Sequence, residues 1–421
     1  DAYLLPRGRL GFLITQSVFK TSGAGQGFRR FRIKDDTPVR VVSVDDLSAM
    51  KPFESAANRT VIVVLDRDDE TTYPMERYTV WVKLAGQALR DEDTLKAVYE
   101  KIDLLEGQAE PVDKDDPTSP WLTGKPGALR AVRQITGASD YQARAGACTW
   151  LNGVYWLEII DRRPDGVLLV RNLTEGAKRE VENVQEALEP DLVYPLLRGR
   201  DVSRWQAKPQ AHVLMVQDPE KRRGYDVDWL SVKYPKTYAY LKRFEQALRS
   251  RSGYRRYFRE TDPFYSMFNV SDYTFAPYKV VWPEVANDLR AAVAEQAPLA
   301  ADKLKAIVPD HTVILVPCEN KDQAHFICAA LNSSPSQFTI RNYIVLHPDP
   351  HIMERVQVPR YTPDDATHRT LAALPQQAHA AVAAGQSVDE IEAEIDKLAA
   401  KLWGLSDAEL WDIQKSLTEL G

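Results

Sequence analysis

The residues best suited to chemistry are basic side chains interleaved with aromatic rings between Arg198 and Glu260. This window holds 16 Lys or Arg and 7 Asp or Glu, a net charge of +9, whereas the whole 421-residue chain carries −6. Cations neutralise phosphates and aromatic rings contact bases, so the window predicts a nucleic-acid-binding surface. A solvated helix face with aromatic rings buried behind it explains part of this composition, but it explains the charge less well. The aromatic residues are Trp205, Tyr225, Trp229, Tyr234, Tyr238, Tyr240, Phe244, Tyr254, Tyr257 and Phe258.

Two short patterns contain side-chain types that ligate metals. His347-Pro-Asp-Pro-His351 places two imidazoles four residues apart, but its prolines exclude helical ligation, and an ordered turn is the favoured interpretation. Pro309-Asp310 followed by Glu319-Asn-Lys321 has the outline of a magnesium nuclease site. Such short patterns arise often by chance, and a strand flanked by polar turns explains this one, so we predict no metal site.

Two further segments match binding loops only in part. Gly23-Ala-Gly25-Gln-Gly27 lacks the Lys-Ser/Thr of a phosphate-binding loop and the spacing of a dinucleotide loop, which favours a flexible connection. Asp262-Pro-Phe-Tyr265 is similar to the Asn/Asp-Pro-Pro-Tyr/Phe tetrad that binds the amino group of an extruded base. Its third position is Phe264 where the tetrad requires proline, so we interpret the segment as structural.

The elements that must position these residues begin with three apolar, β-branched runs. Arg9 to Thr15, Val39 to Val44 and Thr60 to Leu65 predict strands buried in a mixed or parallel sheet. So few strands, with almost no helix between them, cannot cover both faces of a sheet. We therefore expect the tail of an α/β domain whose first half lies outside this sequence.

The rest of the chain changes character twice. An acidic, proline-containing stretch from Asp91 to Pro120 reads as a domain boundary, with an amphipathic helix predicted over Thr94 to Leu105. The last sixty residues are rich in alanine and apolar at helical spacing, and Ser406-Asp-Ala-Glu409 has the form of a capping box before a final helix.

Composition also limits where the protein acts. Three cysteines, Cys148, Cys318 and Cys328, cannot build a disulfide framework or a CxxC metal site, which favours a reducing cytoplasm. Because no stretch reaches about 18 uninterrupted apolar residues, we expect no membrane partner.

Several segments in a fixed order resemble one family, the γ-type DNA adenine-N6 methyltransferases, including Taq-like enzymes and the fused restriction–modification polypeptides. In chain order these are Gly8-Arg-Leu-Gly-Phe-Leu-Ile-Thr-Gln-Ser17, Met50-Lys-Pro-Phe53 with the strand from Thr60, Tyr194-Pro-Leu-Leu-Arg-Gly-Arg-Asp201, Pro277-Tyr-Lys-Val-Val-Trp282, Asp310-His-Thr312 and Leu331-Asn-Ser333. The resemblance covers residues 5–66 and 190–360, and Leu402-Trp-Gly-Leu405 is similar to the end of many fused enzymes.

The resemblance implies an α/β plus α+β fold with four parts. Residues 1–90 would be the C-terminal part of a Rossmann-like α/β methyltransferase domain, and residues 91–145 an acidic linker or helical connection. Residues 146–360 would be a mixed α+β target recognition domain for double-stranded DNA, and residues 361–421 a helical tail that offers a surface for a protein partner.

The same resemblance implies an incomplete enzyme. The Gly-rich S-adenosylmethionine loop and the Asn-Pro-Pro-Tyr tetrad of the family do not occur in this sequence, so cofactor binding, catalysis and base flipping are expected of the full-length parent with its N-terminal methyltransferase half. This chain itself is expected to have no catalytic, cofactor-binding or metal-binding residue. Phe53 is the candidate for stacking on the flipped adenine, although it would equally suit packing at the edge of the sheet.

Arginine and lysine side chains in and near the basic window are the candidate DNA contacts. Some of these arginines would bind guanine in the major groove, and the other cations would bind phosphates. An Arg-Gly-Arg-Asp turn also suits an ion pair within the turn itself. The candidates are Arg198, Arg200, Arg204, Trp205, Lys242, Arg243 and Lys279.

Two alternatives to this function stay open from the sequence. One is a stand-alone DNA- or protein-binding module of a phage-defence system, and the more distant one is the magnesium nuclease.

Overall fold

The computed structural model describes residues 4–21, 23, 25–50, 52–53, 58–175, 179–286, 288–300, 303–343 and 348–419. It divides into two compact units. Unit 1 comprises Asp1–Gly137, Ser333–Leu346 and Asp396–Gly421, and unit 2 comprises Ala138–Asn332 and His347–Ile395.

The described residues form many short strands, and the longer helices lie towards the C-terminus. The strands are Arg9–Thr15 (β1), Val39–Asp46 (β2), Thr60–Arg67 (β3), Met75–Lys83 (β4), Ile102–Pro111 (β5), Trp121–Gly124 (β6), Arg144–Ala145 (β7), Trp156–Arg162 (β8), Leu168–Asn172 (β9), Gln185–Leu188 (β10), Val193–Leu197 (β11), Val202–Ser203 (β12), Gln206–Ala207 (β13), Ala211–Leu214 (β14), Gln217–Asp218 (β15), Arg223–Gly224 (β16), Tyr278–Pro283 (β17), Ala292–Ala294 (β18), Ala297–Ala300 (β19), Lys303–Lys305 (β20), Val308–Pro309 (β21) and Val313–Cys318 (β22). The α-helices are Ser17–Lys20 (α1), Leu95–Tyr99 (α2), Pro126–Ile135 (α3), Asn152–Tyr155 (α4), Val227–Lys233 (α5), Pro235–Arg243 (α6), Glu245–Arg249 (α7), Ser252–Tyr257 (α8), Lys321–Asn332 (α9), Ser334–Tyr343 (α10), Ala366–Ala383 (α11), Asp389–Leu402 (α12) and Asp407–Glu419 (α13).

Unit 1 is built on a mixed sheet with the strand order β1-β3-β2-β4-β5-β6. Strand β3 runs antiparallel to both β1 and β2, while β2 and β4 are parallel. The three predicted β-branched runs are strands, because their apolar side chains pack around Trp121, which stacks on Phe19 at a centroid distance of 4.4 Å. Strand β1 lies at the end of this order, and its Leu10 and Leu13 are exposed.

The acidic stretch after residue 90 differs from the prediction. The helix predicted over Thr94 to Leu105 is wrong beyond Tyr99, since the chain turns there into β5. Pairing explains the difference: β5 forms antiparallel ladders with β4 on one side and β6 on the other. Residues 91–145, the predicted linker or helical connection, thus contribute strands to the sheet of unit 1.

Unit 2 contains two larger sheets and several short ladders among its described residues. The first has the order β10-β9-β8-β14-β11-β21, and the second has the order β18-β17-β22-β7. Helices α5 to α7 pack their apolar side chains, such as Leu241 and Leu248, into the same hydrophobic core as the first sheet. The unit is mixed α+β, as predicted for the segment that follows residue 146.

The C-terminal helical stretch is confirmed. Within unit 2 α11 packs against α9, and within unit 1 α13 packs against α3 and α10. The predicted capping box opens α13: the Ser406 backbone N–H donates to Glu409 Oε2 at 2.9 Å, and the Glu409 N–H donates to Ser406 Oγ at 3.3 Å. The four predicted domain limits stay predictions.

A buried arginine organises the helical side of unit 2. The Arg251 guanidinium is fully buried and donates to the carbonyl oxygens of Leu248, Thr149 and Phe264, at 2.8, 2.7 and 2.6 Å. The rings of Tyr155 and Tyr254 flank it at 5.6 Å. One planar group thus contacts five residues from three stretches of the chain, and its charge is offset by carbonyl dipoles and ring faces.

We predict that Arg251→Lys lowers the free energy of unfolding by about 1–3 kcal/mol, because an ammonium group cannot reproduce the planar fork and leaves a buried carbonyl unpaired. Urea denaturation measures the effect. The matched control is Arg249→Lys, two residues away on an exposed side chain, for which we expect a change within about 0.5 kcal/mol. Equal losses from the two variants would contradict the organising role of Arg251.

Candidate nucleic-acid interface

The Arg198-Gly-Arg-Asp201 segment forms a turn that an internal ion pair closes. Arg198 Nε and Nη2 donate to the two carboxylate oxygens of Asp201 at 2.8 and 3.1 Å, and the Arg198 backbone N–H donates to the same carboxylate at 3.0 Å. Both side chains are buried, with 8% and 3% of their surface exposed. This bidentate geometry is the strongest form of the Arg–carboxylate pair. It holds Arg198 inside the fold, as the ion-pair alternative for this turn anticipated.

The closed turn docks on the loop before β22. The Gly199 N–H donates to Thr312 Oγ1 at 2.8 Å, and Thr312 Oγ1 in turn donates to Asp310 Oδ1 at 2.5 Å. The Asp310 N–H donates to the carbonyl of Leu197 at 2.9 Å. A side chain at position 199 would bring a Cβ within 3.0 Å of the Thr312 carbonyl oxygen, so glycine suits this close approach. Two sequence segments more than 100 residues apart therefore form one unit.

Asp310 is a structural carboxyl in this arrangement. It is 2% exposed, and burial raises its pKa although Thr312 and the charges of His311 and Arg198 oppose the rise. Its Oδ1 accepts two hydrogen bonds from Thr312, which orders the loop.

Arg200 is the predicted contact that the turn presents to solvent. It is exposed and has no ion-pair partner within the described ranges. The turn lies between Leu197 and Val202, which belong to an apolar cluster that also packs against Tyr273. Arg200 is therefore an exposed side chain on a turn whose flanking residues are buried in this cluster.

Two further arginines lie around the same cluster. Arg144 is on β7, whose ladder with β22 pairs it with Leu315 of the cluster. Burial raises the pKa of Tyr273, which packs against the same apolar cluster, and the charges of Arg144 and Arg222 oppose this rise. Arg144 and Arg222 are exposed, and neither forms an ion pair with any residue that the structure describes. We call Arg144, Arg200 and Arg222 the arginine cluster.

Sequence reasoning did not single out Arg144, Arg222 or Tyr273. Arg222 is one of 16 cations in the basic window, and Arg144 precedes that window by more than 50 residues. The long-range pairing of β7 with β22 brings Arg144 beside Leu315 of the apolar cluster, which no local pattern predicts.

The predicted contacts Arg204 and Trp205 are engaged inside unit 2. Arg204 Nε and Trp205 Nε1 both donate to Glu392 Oε1, the latter at 2.6 Å, and Arg204 Nη2 donates to the carbonyl of Asn332 at 2.8 Å. The Trp205 side chain is 1% exposed, and Arg204 is about one-third exposed. Their assignment to DNA stays a prediction, and in this structure they fasten the chain after the turn to α9 and α12.

Lys242 and Arg243 lie on the surface of α6 and are held by carboxylates. Lys242 pairs with Glu245 at 2.5 Å, and Arg243 pairs with Glu182 and Glu186 at 2.5 and 3.2 Å. Hydrogen bonds to Glu245 and Glu182, respectively, raise the pKa of Lys242 and of Arg243. Contact with a phosphate would have to replace these bonds.

Lys279 is buried in β17. It is 1% exposed, and its Nζ donates to the carbonyl of Ala276 at 2.5 Å. Burial lowers the pKa of Lys279 to about 7. Its side chain reaches no solvent in this conformation, and its assignment to DNA stays a prediction.

Phe53, the candidate for stacking on a flipped base, is in unit 1 and is 47% exposed. Its ring makes no ring contact with the described aromatic residues. Lys51 before it and residues 54–57 after it lie outside the described residues.

The patterns considered for metals do not assemble in the described residues. Asp310 precedes β22 and Glu319 follows it, and a six-residue strand spans about 20 Å, too far for one shared ion. His351 is exposed and pairs with Glu354 in a short 3-10 turn, while its predicted partner His347 lies outside the described residues. No group of three or more His, Cys, Asp or Glu in the described ranges suits a metal ion.

Two other interpretations concern binding loops. Phe264 and Tyr265 of the Asp262-Pro-Phe-Tyr265 segment are buried, which agrees with its structural role. In the Gly-rich segment, Ala24 and the neighbouring Ser22 lie outside the described residues. Across the described part of the chain, none of the helices has the length and apolar content to cross a membrane.

Comparison with known proteins identifies a shared fold. No family model matches the chain, and no curated protein matches it. Among solved structures, it is similar to the Type IIL restriction–modification enzyme MmeI, solved in complex with DNA, with 9% identity and a TM-score of 0.50 over 98% of this chain. The type IIG restriction endonuclease BpuSI matches over 99% of this chain with 12% identity and a TM-score of 0.36. The chain spans about half of each, 49% of MmeI and 47% of BpuSI.

Burial of Lys279 generates a prediction about stability. We expect Lys279→Met to raise the free energy of unfolding by about 1–3 kcal/mol near pH 7, because an apolar side chain of similar length avoids the cost of a buried ammonium group. The pKa of Lys279 is about 7 when folded and 10.5 without burial, so the unfolded chain binds more protons between these values. Wild-type stability therefore gains a rising contribution from pH 7 to 10.5, which the variant lacks.

Urea denaturation across this pH range measures both effects. Lys208→Met, on an exposed lysine of the same unit, is the control and should leave the pH dependence unchanged. If Lys279→Met weakened duplex DNA binding without lowering stability, Lys279 would be a DNA contact and its burial in this structure would not represent the binding state.

Proposed function

We propose that this chain is the DNA sequence recognition portion of a site-specific restriction–modification enzyme, and that unit 2 recognises double-stranded DNA through the arginine cluster. The fold shared with about half of MmeI supports the assignment to this class of enzyme. The observation that carries the proposal is the docking of the closed Arg198–Asp201 turn on Thr312, which leaves Arg200 exposed on a fixed support.

A fixed, exposed arginine suits recognition of duplex DNA. Guanine presents O6 and N7 in the major groove, and a guanidinium group matches both with two parallel hydrogen bonds. Discrimination requires that the donor be held in place, which the bidentate Arg198–Asp201 pair and the Gly199–Thr312 bond provide. We assign base recognition to Arg200, and phosphate contact to Arg144 and Arg222.

We further propose that the parent enzyme is an adenine-N6 methyltransferase of the γ type that uses S-adenosylmethionine. The order of the resembling segments supports this, as does the open edge of the sheet in unit 1. Strand β1 at that edge exposes Leu10 and Leu13, and such an edge favours pairing with a further strand. Phe53, exposed after β2, would then stack on the extruded adenine.

The experiment for DNA recognition is a salt series of duplex binding by fluorescence anisotropy. Arg144, Arg200 and Arg222 are changed together to glutamine. Because Arg144 and Arg222 are the assigned phosphate contacts, the slope of log K against log salt should become shallower by about 0.9 for each, or about 1.8 in total. Affinity at low salt falls accordingly.

The matched control is the triple change of Lys242, Arg243 and Arg249 to glutamine. It removes the same charge from the same unit, but each of these cations already pairs with a glutamate. We expect a much smaller change in slope. If the control variant loses as much slope as the arginine-cluster variant, the contact surface lies on α6 and α7 and the assignment to the arginine cluster is wrong.

The methyltransferase proposal has a separate test. Isothermal titration of this chain with S-adenosylmethionine should give no binding, whereas the parent that carries the upstream half should bind it and methylate adenine. Phe53→Ala in the parent should lower methylation and leave duplex affinity unchanged. Cofactor binding by this chain, or full methylation by the Phe53→Ala parent, would contradict the assignment.

A further inference from the structure

A second aromatic and cationic surface of unit 2 lies on α8 and plays no part in the arginine cluster. The rings of Trp150, Tyr257 and Phe268 lie nearly parallel: Tyr257 is 5.7 Å from Trp150 with an interplanar angle of 5°, and 4.5 Å from Phe268 with an angle of 22°. We call these three rings the aromatic shelf. Trp150 and Phe268, which we call its inner part, are partly buried and lie 5.6 Å apart, and Tyr257 is 48% exposed.

The backbone holds the inner part of the shelf rigidly. Cys148 and Phe268 exchange two backbone hydrogen bonds, at 2.9 and 3.0 Å. The indole of Trp150 lies so close to Gly253 that a Cβ at that position would come within 2.0 Å of the ring. Arg251 fixes the adjoining Thr149 carbonyl through its own guanidinium group. The shelf is therefore a pre-ordered surface, so binding to it costs little side-chain entropy.

Exposed arginines flank Tyr257 in the sequence, and one of them contacts its ring. The segment Arg251–Arg259 contains four arginines and no Asp or Glu. Arg255, Arg256 and Arg259 are exposed, and within the ranges that the structure describes none of them pairs with a carboxylate through its side chain. The Arg256 guanidinium lies 5.2 Å from the centroid of the Tyr257 ring. This arrangement differs from α6, where glutamates neutralise the exposed cations.

We propose that the aromatic shelf binds an unpaired nucleobase of a DNA strand, with the base stacked on Tyr257 and the flanking phosphates held by Arg255, Arg256 and Arg259. A base inside a duplex has both faces covered by its neighbours, so a planar, exposed ring on a rigid stack fits a base that is out of the helix. Stacking is tolerant of sequence because every base has a π-face. Arg256 occupies the ring in the absence of DNA and moves to a phosphate when a base arrives.

The shelf lies within reach of a strand that leaves the proposed duplex contacts. Trp150 follows Arg144 by six residues, which at strand rise spans at most about 20 Å, and this length corresponds to about six base pairs. A strand that leaves the duplex beyond the arginine cluster could therefore reach the shelf. The shelf needs no contact with the arginine cluster, so its binding is measured independently of the proposed sequence recognition.

The test measures binding of a labelled single-stranded oligodeoxythymidine and of a labelled duplex to the full 421-residue chain by fluorescence anisotropy. Tyr257→Ala should weaken binding of the single strand about tenfold, the loss expected for one base–aromatic stack, and leave duplex binding nearly unchanged. Tyr257→Phe keeps the π-face and should retain wild-type affinity. A thermal unfolding curve for each variant checks the fold, and Tyr257→Leu, which fills the same space without a π-face, replaces Tyr257→Ala if the latter unfolds.

Unit 1 offers a closely matched control in Tyr99. This tyrosine is also 48% exposed and also lies beside a tryptophan, Trp81, at a centroid distance of 5.4 Å. Tyr99→Ala should leave single-strand binding unchanged. Equal losses from Tyr99→Ala and Tyr257→Ala, or equal losses from Tyr257→Phe and Tyr257→Ala, would overturn the proposal.

A second readout reports stacking itself. An oligonucleotide that carries 2-aminopurine should lose fluorescence on binding to the wild-type chain, and less so on binding to Tyr257→Ala. Unchanged duplex binding by the arginine-cluster variant, with intact single-strand quenching by the wild type, would remove the proposed function and leave the shelf. Loss of duplex binding in that variant, with quenching that Tyr257→Ala does not reduce, would remove only the shelf.

Discussion

The internal ion pair between Arg198 and Asp201 is the interaction on which the recognition surface of unit 2 depends. A buried arginine and a buried aspartate are each costly, and they are tolerated because both oxygens of the carboxylate and the fork of the guanidinium are satisfied within one turn. The closed turn offers the Gly199 N–H to Thr312 and points its remaining arginine, Arg200, to solvent. The buried Arg198 stabilises the turn, and the stable turn fixes the backbone position of the exposed Arg200.

Arg251 applies the same principle in the helical part of unit 2, with carbonyl oxygens and tyrosine rings in place of a carboxylate. It fixes the chain around Thr149 and the start of α8, and so it supports the aromatic shelf. The charge of the basic window is therefore divided by role. Buried arginines order the scaffold, cations such as Arg243 are neutralised by glutamates, and a smaller set of exposed arginines is available to a nucleic acid.

Local sequence patterns predicted the strands and helices better than the long-range contacts between them. The apolar run from Arg9 to Thr15 matches β1, and the capping box at Ser406 opens α13, because each pattern is complete within a few residues. Beyond Tyr99, however, long-range pairing with β4 overrides helical periodicity and produces β5. The same limit applies to the candidate site. Charge counting found the basic window, but Glu392 engages Arg204 from 188 residues away, and Arg144 joins the arginine cluster through a ladder with β22. These partners are far apart in the sequence, so an analysis of local sequence patterns could not identify them.

Selection from a random pool of duplex DNA tests most directly whether this chain recognises sequence. The wild-type chain is used to enrich bound duplexes, and the enriched pool is sequenced beside the pool enriched by Arg200→Gln. We predict a defined sequence motif for the wild type and the loss of preference at one position, a guanine, for the variant. A wild-type pool that stays random while the protein binds duplex DNA would contradict sequence recognition by this chain, and an unchanged motif in the Arg200→Gln pool would contradict the role of Arg200.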